Sequence, residues 1–261
     1  MKLSISNIAW KQEHDEEMYQ TCRDMGYSGI EIAPSRIFGE FPYHDMKVVD
    51  EYKKKMKEQY DLEISSIQSI WYGKRGFLFK EDYHELADYT CEALRFAGCI
   101  GAGNVVFGSP AMRRVFQPED YQKGINFFSE ISKWADKFNT VFSIEANPFI
   151  YGTNYINYTL EAMAIVKQIN SEHLKVNLDI GTVIFNEESL EEIERNMDLI
   201  HHVHISEPHL VAIEKRQIHK ELFQMLRDRK YDNYVSIEMK CQEKIDDIKR
   251  IMEYIFELSR Q

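Results

Sequence analysis

Short β-branched runs alternate with longer amphipathic, charge-rich stretches from one end of this 261-residue chain to the other. The pattern predicts strands at Leu3–Ile8, Gly29–Ile32, Leu62–Ile67, Asn104–Phe107, Val141–Ile144, Lys175–Leu178, His201–Ile205 and Tyr234–Ile237. Helical patterns follow at 14–25, 46–59, 81–97, 117–138, 157–169, 189–198, 215–229 and 243–258. Strict alternation of eight strands with eight helices calls for a parallel sheet, because a helix is the connection that returns the chain to begin a parallel neighbour. Eight such units in roughly 250 residues make a closed barrel, so the expected fold is α/β, a single (β/α)8 TIM barrel with a parallel eight-stranded core. No Pro/Gly/Ser-rich linker or composition break divides the chain, and residues 1–261 read as one domain. Local signals agree. Ser189-Leu-Glu-Glu192 has the form of a capping box, Pro118 opens a helix followed by Glu119 and Asp120, and Ile245, Ile248, Ile251, Met252, Ile255 and Phe256 form an apolar helical stripe.

Four of the apolar runs in the second half end in a polar residue. They read Val-Phe-Ser-Ile-Glu145, Val-Asn-Leu-Asp179, His-Val-His204 and Val-Ser-Ile-Glu238, with separations of 34, 25 and 34 residues, each one strand–helix–strand step. On parallel strands all four side chains emerge at the same end of the sheet. An acidic residue after a strand commonly caps a helix, and a lone histidine is usually a satisfied core residue. Equivalent positions on four consecutive strands are not explained in that way. Three carboxylates brought together are costly without a cation, so the four predict a site for one divalent metal ion: Mn, Co, Mg or Zn. Alternation from His204 puts His202 on the same face deeper in the barrel and His201 outward.

The formal charge of −11 opposes binding to nucleic acid or to an anionic membrane surface. No apolar run approaches the roughly 18 residues of a membrane span. Cys22, Cys91, Cys99 and Cys241 form no CxxC pair, which suits reduced thiols in a cytoplasmic protein. The longest loops, Ala33–Asp45 and Ser69–Lys80, follow the second and third strands and carry Phe41, Tyr43, Trp71 and Tyr72. They lie on the C-terminal face, where barrel active sites are built, and their aromatics suit the apolar and hydroxyl surface of a sugar. Gly181 is the last glycine, so the loops after the seventh and eighth strands lack a Gly-rich phosphate cradle. An unphosphorylated sugar or polyol is favoured, with Arg113 or Arg216 as the remaining source of a side-chain phosphate contact.

The motifs Ser143-Ile-Glu145-Ala-Asn147, Asn177-Leu-Asp179-Ile-Gly181-Thr182, His202-Val-His204-Ile-Ser-Glu207-Pro208 and Ser236-Ile-Glu238-Met, with Gly26-Tyr-Ser-Gly29-Ile-Glu31, give a resemblance. The chain resembles the sugar phosphate isomerase/epimerase family with a xylose-isomerase-like barrel, which includes the ketose 3-epimerases and, more distantly, endonuclease IV. The resemblance implies that Glu145, Asp179, His204 and Glu238 bind one metal ion and that Glu145 and Glu238 also transfer protons. It implies a small-molecule carbohydrate substrate, with homodimers common in the family. Gln68, Trp71, Thr182, Glu207 and Arg216 are the expected substrate contacts. Two departures stand out. Thr182 occupies the place of a substrate-contacting histidine, and the family's arginine after the histidine ligand has no aligned match, leaving Lys215 or Arg216 to reach from further on. The third and fourth strands end in Gln68-Ser69 and Gly108-Ser109, so the endonuclease's multi-zinc cluster cannot be assembled in the same way.

A metal on adjacent oxygens of a hydroxy-ketone acidifies the neighbouring C–H, one glutamate removes the proton, and a second returns one from the opposite face of the enediolate. The expected activity is therefore a metal-dependent sugar isomerase or epimerase. An inosose-type dehydratase uses the same opening step, and a non-catalytic sugar-binding barrel is the alternative from another class.

Overall fold

The computed structural model describes residues 1–80 and 83–261. Its eight strands are β1 (Lys2–Ile5), β2 (Gly29–Ile32), β3 (Glu63–Ile67), β4 (Asn104–Phe107), β5 (Val141–Glu145), β6 (Leu174–Asp179), β7 (Ile200–Ile205) and β8 (Tyr234–Ile237). All pair in parallel in the order β1-β8-β7-β6-β5-β4-β3-β2. The seam between β1 and β2 is drawn together by Ser28 N–H donating to Leu3 O at 3.1 Å and by a parallel bridge between Ser6 and Glu31. The structure is a nearly closed TIM barrel, as the alternation predicts.

The outer ring contains α1 (Asp15–Asp24), α3 (Met46–Tyr60), α4 (Tyr83–Ile100), α5 (Glu119–Lys137), α6 (Thr159–Ile169), α9 (Gln217–Asp228) and α10 (Ile245–Arg260). The expected helix at 81–97 begins with two residues that lie outside the described residues. Shorter helices are α2 (Pro34–Phe38), α7 (Ile180–Asn186) and α8 (Leu190–Glu194). The expected 189–198 helix is shorter than its pattern: Ser189 caps α8 by accepting from Glu192 N–H, and a one-turn helix at Met197–Leu199 follows.

Helical and strand periodicities place the core between ring and sheet. Ile248, Met252 and Ile255 turn one face of α10 inward, and Leu86, Ala93, Leu94 and Ala97 do so on α4. They meet alternate strand residues, among them Phe142 and Ile144, Val176 and Leu178, Val203 and Ile205, and Val235 and Ile237, all fully buried. Burying each such side chain contributes about 1.5–3 kcal/mol.

The other strand face fills the lumen, and here it is polar. Ser4 bonds Ser65, Asn104 donates to Ser66 and accepts from Ser143, and further up Asn177, His202 and Ser236 are buried. Most of these buried polar groups pair with one another across the lumen, which offsets their desolvation; Ser236 Oγ and Asn177 Oδ1 are buried without a partner among the described residues. Alternation breaks at two places: Ile30 pairs with Ile64 and Glu31 with Ser66, which makes Ser65 an extra residue in β3, and a second break lies in β7. Val176 pairs with Ile200 and Asn177 with His202, so His201 is an extra residue in β7. This bulge turns His201 inward, where Nδ1 lies 3.2 Å from Asn104 Oδ1 on the far side of the barrel. The outward placement expected for His201 is thus corrected, while His202 takes the expected lumen position.

No helix among the described residues is long and apolar enough to cross a membrane. The four cysteines are free, with Cys22 buried and Cys99 and Cys241 exposed.

Candidate metal centre

Strand register explains why Glu145, Asp179, His204 and Glu238 converge. Glu145 pairs with Asn177, two residues below Asp179. Asp179 pairs directly with His204, which pairs with Ser236, two residues below Glu238. Every step is even, so all four side chains point into the lumen, while the stagger of a tilted barrel brings them to one level. One oxygen or nitrogen from each lies within 4.8 Å of the others, and all four are buried.

The surroundings fix how the donors face. His204 Nε2 lies 3.0 Å from Glu31 Oε2 and so carries the proton it donates there. Its Nδ1 then faces Oε2 of both Glu145 and Glu238, each at 3.2 Å. Glu31 Oε2 also accepts from His202 Nε2 at 3.0 Å. Glu145 is held at both oxygens, by Asn147 Nδ2 on Oε1 and Asn177 Nδ2 on Oε2, each at 2.7 Å. Asp179 accepts from Ser206 Oγ at 2.7 Å and, as the N-cap of α7, from Thr182 N–H at 2.9 Å. Ser206 Oγ also accepts from Gly181 N–H at 2.8 Å, and a Cβ at Gly181 would lie 2.8 Å from that oxygen. A longer residue there would dislodge the Asp179 support.

These contacts separate the charges. Burial opposes ionisation of Glu31, yet the two imidazoles outweigh it and hold its carboxyl well below the usual range. Burial pushes Asp179 up to about 7, with the charges of Glu145 and Glu238 adding to the shift. Glu238 is raised by burial as well, against the pull of His204. Glu145 is lowered: burial is outweighed by His204, the Asn147 amide and the Arg113 guanidinium. His204 is raised well above its ordinary value, since Glu31, Glu238 and Glu145 together overcome burial. Three carboxylates facing one imidazole nitrogen suit a divalent cation, which would replace the proton that the cluster otherwise draws onto Nδ1. The donor set fits such an ion.

Each expected substrate contact has a partner within the protein. Trp71 lies in the core against Phe107 and Phe127, its indole N–H donating to Thr90 Oγ1. The exposed large apolar rings on the long loops are Phe41 and Tyr72, at 65% and 75% exposure. Gln68 is buried, donating to Ser6 Oγ and to Oε1 of Glu31, the carboxylate that bonds His204. Thr182 Oγ1 donates to Ala146 O at 2.9 Å. Glu207 is buried and accepts from Arg216 Nε at 2.6 Å, so these two bind one another. Arg113 is not a phosphate-facing side chain: it is fully buried and donates to backbone carbonyls and Asn147. Sequence reasoning passed over Asn147, Asn177 and Ser206 as supports, although all three stand in the quoted motifs.

Eight parallel strands around a polar lumen, with four converging donors at the C-terminal mouth, define a TIM barrel carrying a candidate metal centre. The chain belongs to the xylose isomerase-like TIM barrel family, whose model it matches over residues 19–258. No curated protein matches it in sequence. Among solved structures it is similar to a D-psicose 3-epimerase from Clostridium cellulolyticum H10, with 17% identity, TM-score 0.80 and coverage of 100% of this chain and 98% of the other. It is also similar to a 3-keto-D-glucoside 4-epimerase from E. coli, with 19% identity, TM-score 0.78 and coverage of 98% and 99%. A probable 3-DHS dehydratase from Bacillus anthracis gives 16% identity, TM-score 0.74 and coverage of 100% and 99%.

Proposed function

We propose that this protein is a divalent-metal-dependent isomerase or epimerase acting on a ketose or related polyol, with Glu145 and Glu238 exchanging protons with the substrate. The observation that carries the reading is His204 Nδ1, turned by Glu31 toward Glu145 and Glu238 at 3.2 Å each, with Asp179 completing the donor set. A divalent ion held by Glu145, Asp179, His204 and Glu238 would supply the positive charge that acidifies a C–H beside a carbonyl. Glu145 and Glu238 stand on strands separated by β6 and β7, so they can approach a substrate from opposite sides. Glu145, held by two amides, is the fixed carboxylate; Glu238 has the raised pKa suited to delivering a proton. Asp179 and His204 hold the ion without moving protons. The epimerase structures similar to this chain support a sugar substrate. Four free cysteines support a cytoplasmic setting, and manganese is the first ion to test.

The test joins metal content to solvent-deuterium exchange into a panel of ketoses, inososes and hydroxypyruvate. The wild type should bind about one divalent ion and label its substrate at carbon. Glu145→Gln and Glu238→Gln should each lower exchange by about 10²–10⁴-fold. Loss of water from the labelled substrate would move the assignment to a dehydratase. Purified protein that contains no metal and gains none on titration would sink the reading.

A further inference from the structure

Arg113 is among the largest fully buried side chains, yet no carboxylate oxygen among the described residues bonds its guanidinium. A buried arginine is ordinarily paired with an acid, so this placement needs another explanation. Its Nη1 donates to Glu145 O at 2.8 Å, and Nη2 to Asn147 Oδ1 at 3.0 Å and Ile156 O at 3.3 Å. Nε is buried without a partner. The fork thus grips the backbone of Glu145 and, separately, one end of the Asn147 amide. With its oxygen taken by Arg113, that amide must turn Nδ2 toward Glu145 Oε1, where it sits at 2.7 Å. Gly108 closes the same cradle: a Cβ there would stand 3.0 Å from Glu145 Oε1 and 3.2 Å from Asn147 Oδ1.

We propose that Arg113 is a positioning residue, which through Asn147 and the Glu145 carbonyl fixes the direction in which the Glu145 carboxylate faces the donor cluster. The inference rests on the reading of Glu145 as a metal ligand. It assigns the buried charge to an orienting task, comparable to the outer partners that hold metal-binding histidines and carboxylates in place. Asn147 is the coupling piece, since it bonds Arg113 on one side and Glu145 on the other.

The test is a double-mutant cycle read by Mn²⁺ affinity, with thermal unfolding measured alongside. Arg113→Met and Asn147→Ala should each weaken Mn²⁺ binding by about 10–100-fold. The double variant should be no weaker than about threefold beyond the worse single, because both remove one device. Arg113→Lys, which keeps the charge and loses the fork, should recover only part of the affinity, and it replaces Arg113→Met in the cycle if that variant does not fold. Lower thermal stability with unchanged affinity, or single effects that multiply in the double variant, would overturn the assignment while leaving the metal reading intact. A wild type that takes up none of Mn²⁺, Co²⁺, Mg²⁺ and Zn²⁺ overturns the metal reading and this inference with it; where another of these ions binds in place of Mn²⁺, the cycle is read with that ion.

Discussion

Glu31 reaches across the lumen from β2 to two imidazoles on β7, and one oxygen accepts from both at 3.0 Å. Its effect is to decide the His204 tautomer, which leaves Nδ1 free for a cation. Without one, the surrounding carboxylates draw a proton onto His204, and Asp179 is raised to about 7. Both groups must therefore lose protons on metal binding, so affinity should rise with pH through about 7 and binding at pH 6.5 should release more than one proton per ion. Calorimetry in buffers of different ionisation enthalpy measures this; pH-independent affinity would contradict it. Glu31→Gln should weaken the ion by about 10–100-fold, since an amide offers these two N–H groups a poorer acceptor. The four candidate ligands were legible because each closes a β-branched run. Glu31 stood in a quoted motif, but its task was not legible, because its partners lie 171 and 173 residues away. Arg113 was equally opaque: sequence records a cation, whereas its acceptors are mostly backbone carbonyls.

Among the elements, seven strands were read to within one residue of their ends because both faces obey simple rules, β-branched or aromatic residues outward and polar residues inward; the first, expected at Leu3–Ile8, stops at Ile5, where Ser6 caps a one-turn helix at Asn7–Ala9. What eluded periodicity was the bulge in β7, since one added residue changes the facing of His201 without changing composition. The helix α7 was missed for another reason: Asp179 serves at once as a strand end, a candidate ligand and the cap of that helix. In α9 the buried His219 has Nδ1 3.3 Å from Tyr254 Oη and Nε2 without a partner. Burial lowers its pKa to about 4, so between roughly pH 6.5 and 4 the unfolded chain takes up a proton that the folded chain refuses. Its contribution is intact above pH 6.5 and is lost as pH falls toward 4, by up to about 3 kcal/mol. Urea midpoints at pH 4.5 and 7.5 should accordingly differ less in His219→Gln than in the wild type. An equal difference in both proteins would assign the acid sensitivity elsewhere.

Across the whole molecule, the candidate ligands occupy four strands that are contiguous in the sheet, β5 to β8, while the seam between β1 and β2 lies in the other half. An ion held there ties neighbours that are already hydrogen-bonded and leaves the seam to its own contacts. Hydrogen exchange should therefore slow on adding metal by about tenfold or more in β5–β8, with a smaller change at β1 and β2, except near Glu31. Uniform protection would mean that the ion acts only through global stability. The long loops 33–45 and 69–80, with the exposed Phe41 and Tyr72, spring from the half that carries none of Glu145, Asp179, His204 and Glu238. Insertions, deletions and substitutions in those loops can accumulate without touching a donor atom. Under the proposed function, changes of substrate preference made in these loops would leave the proton-transferring pair intact, and descendants of such a chain could change diet without reinventing their chemistry.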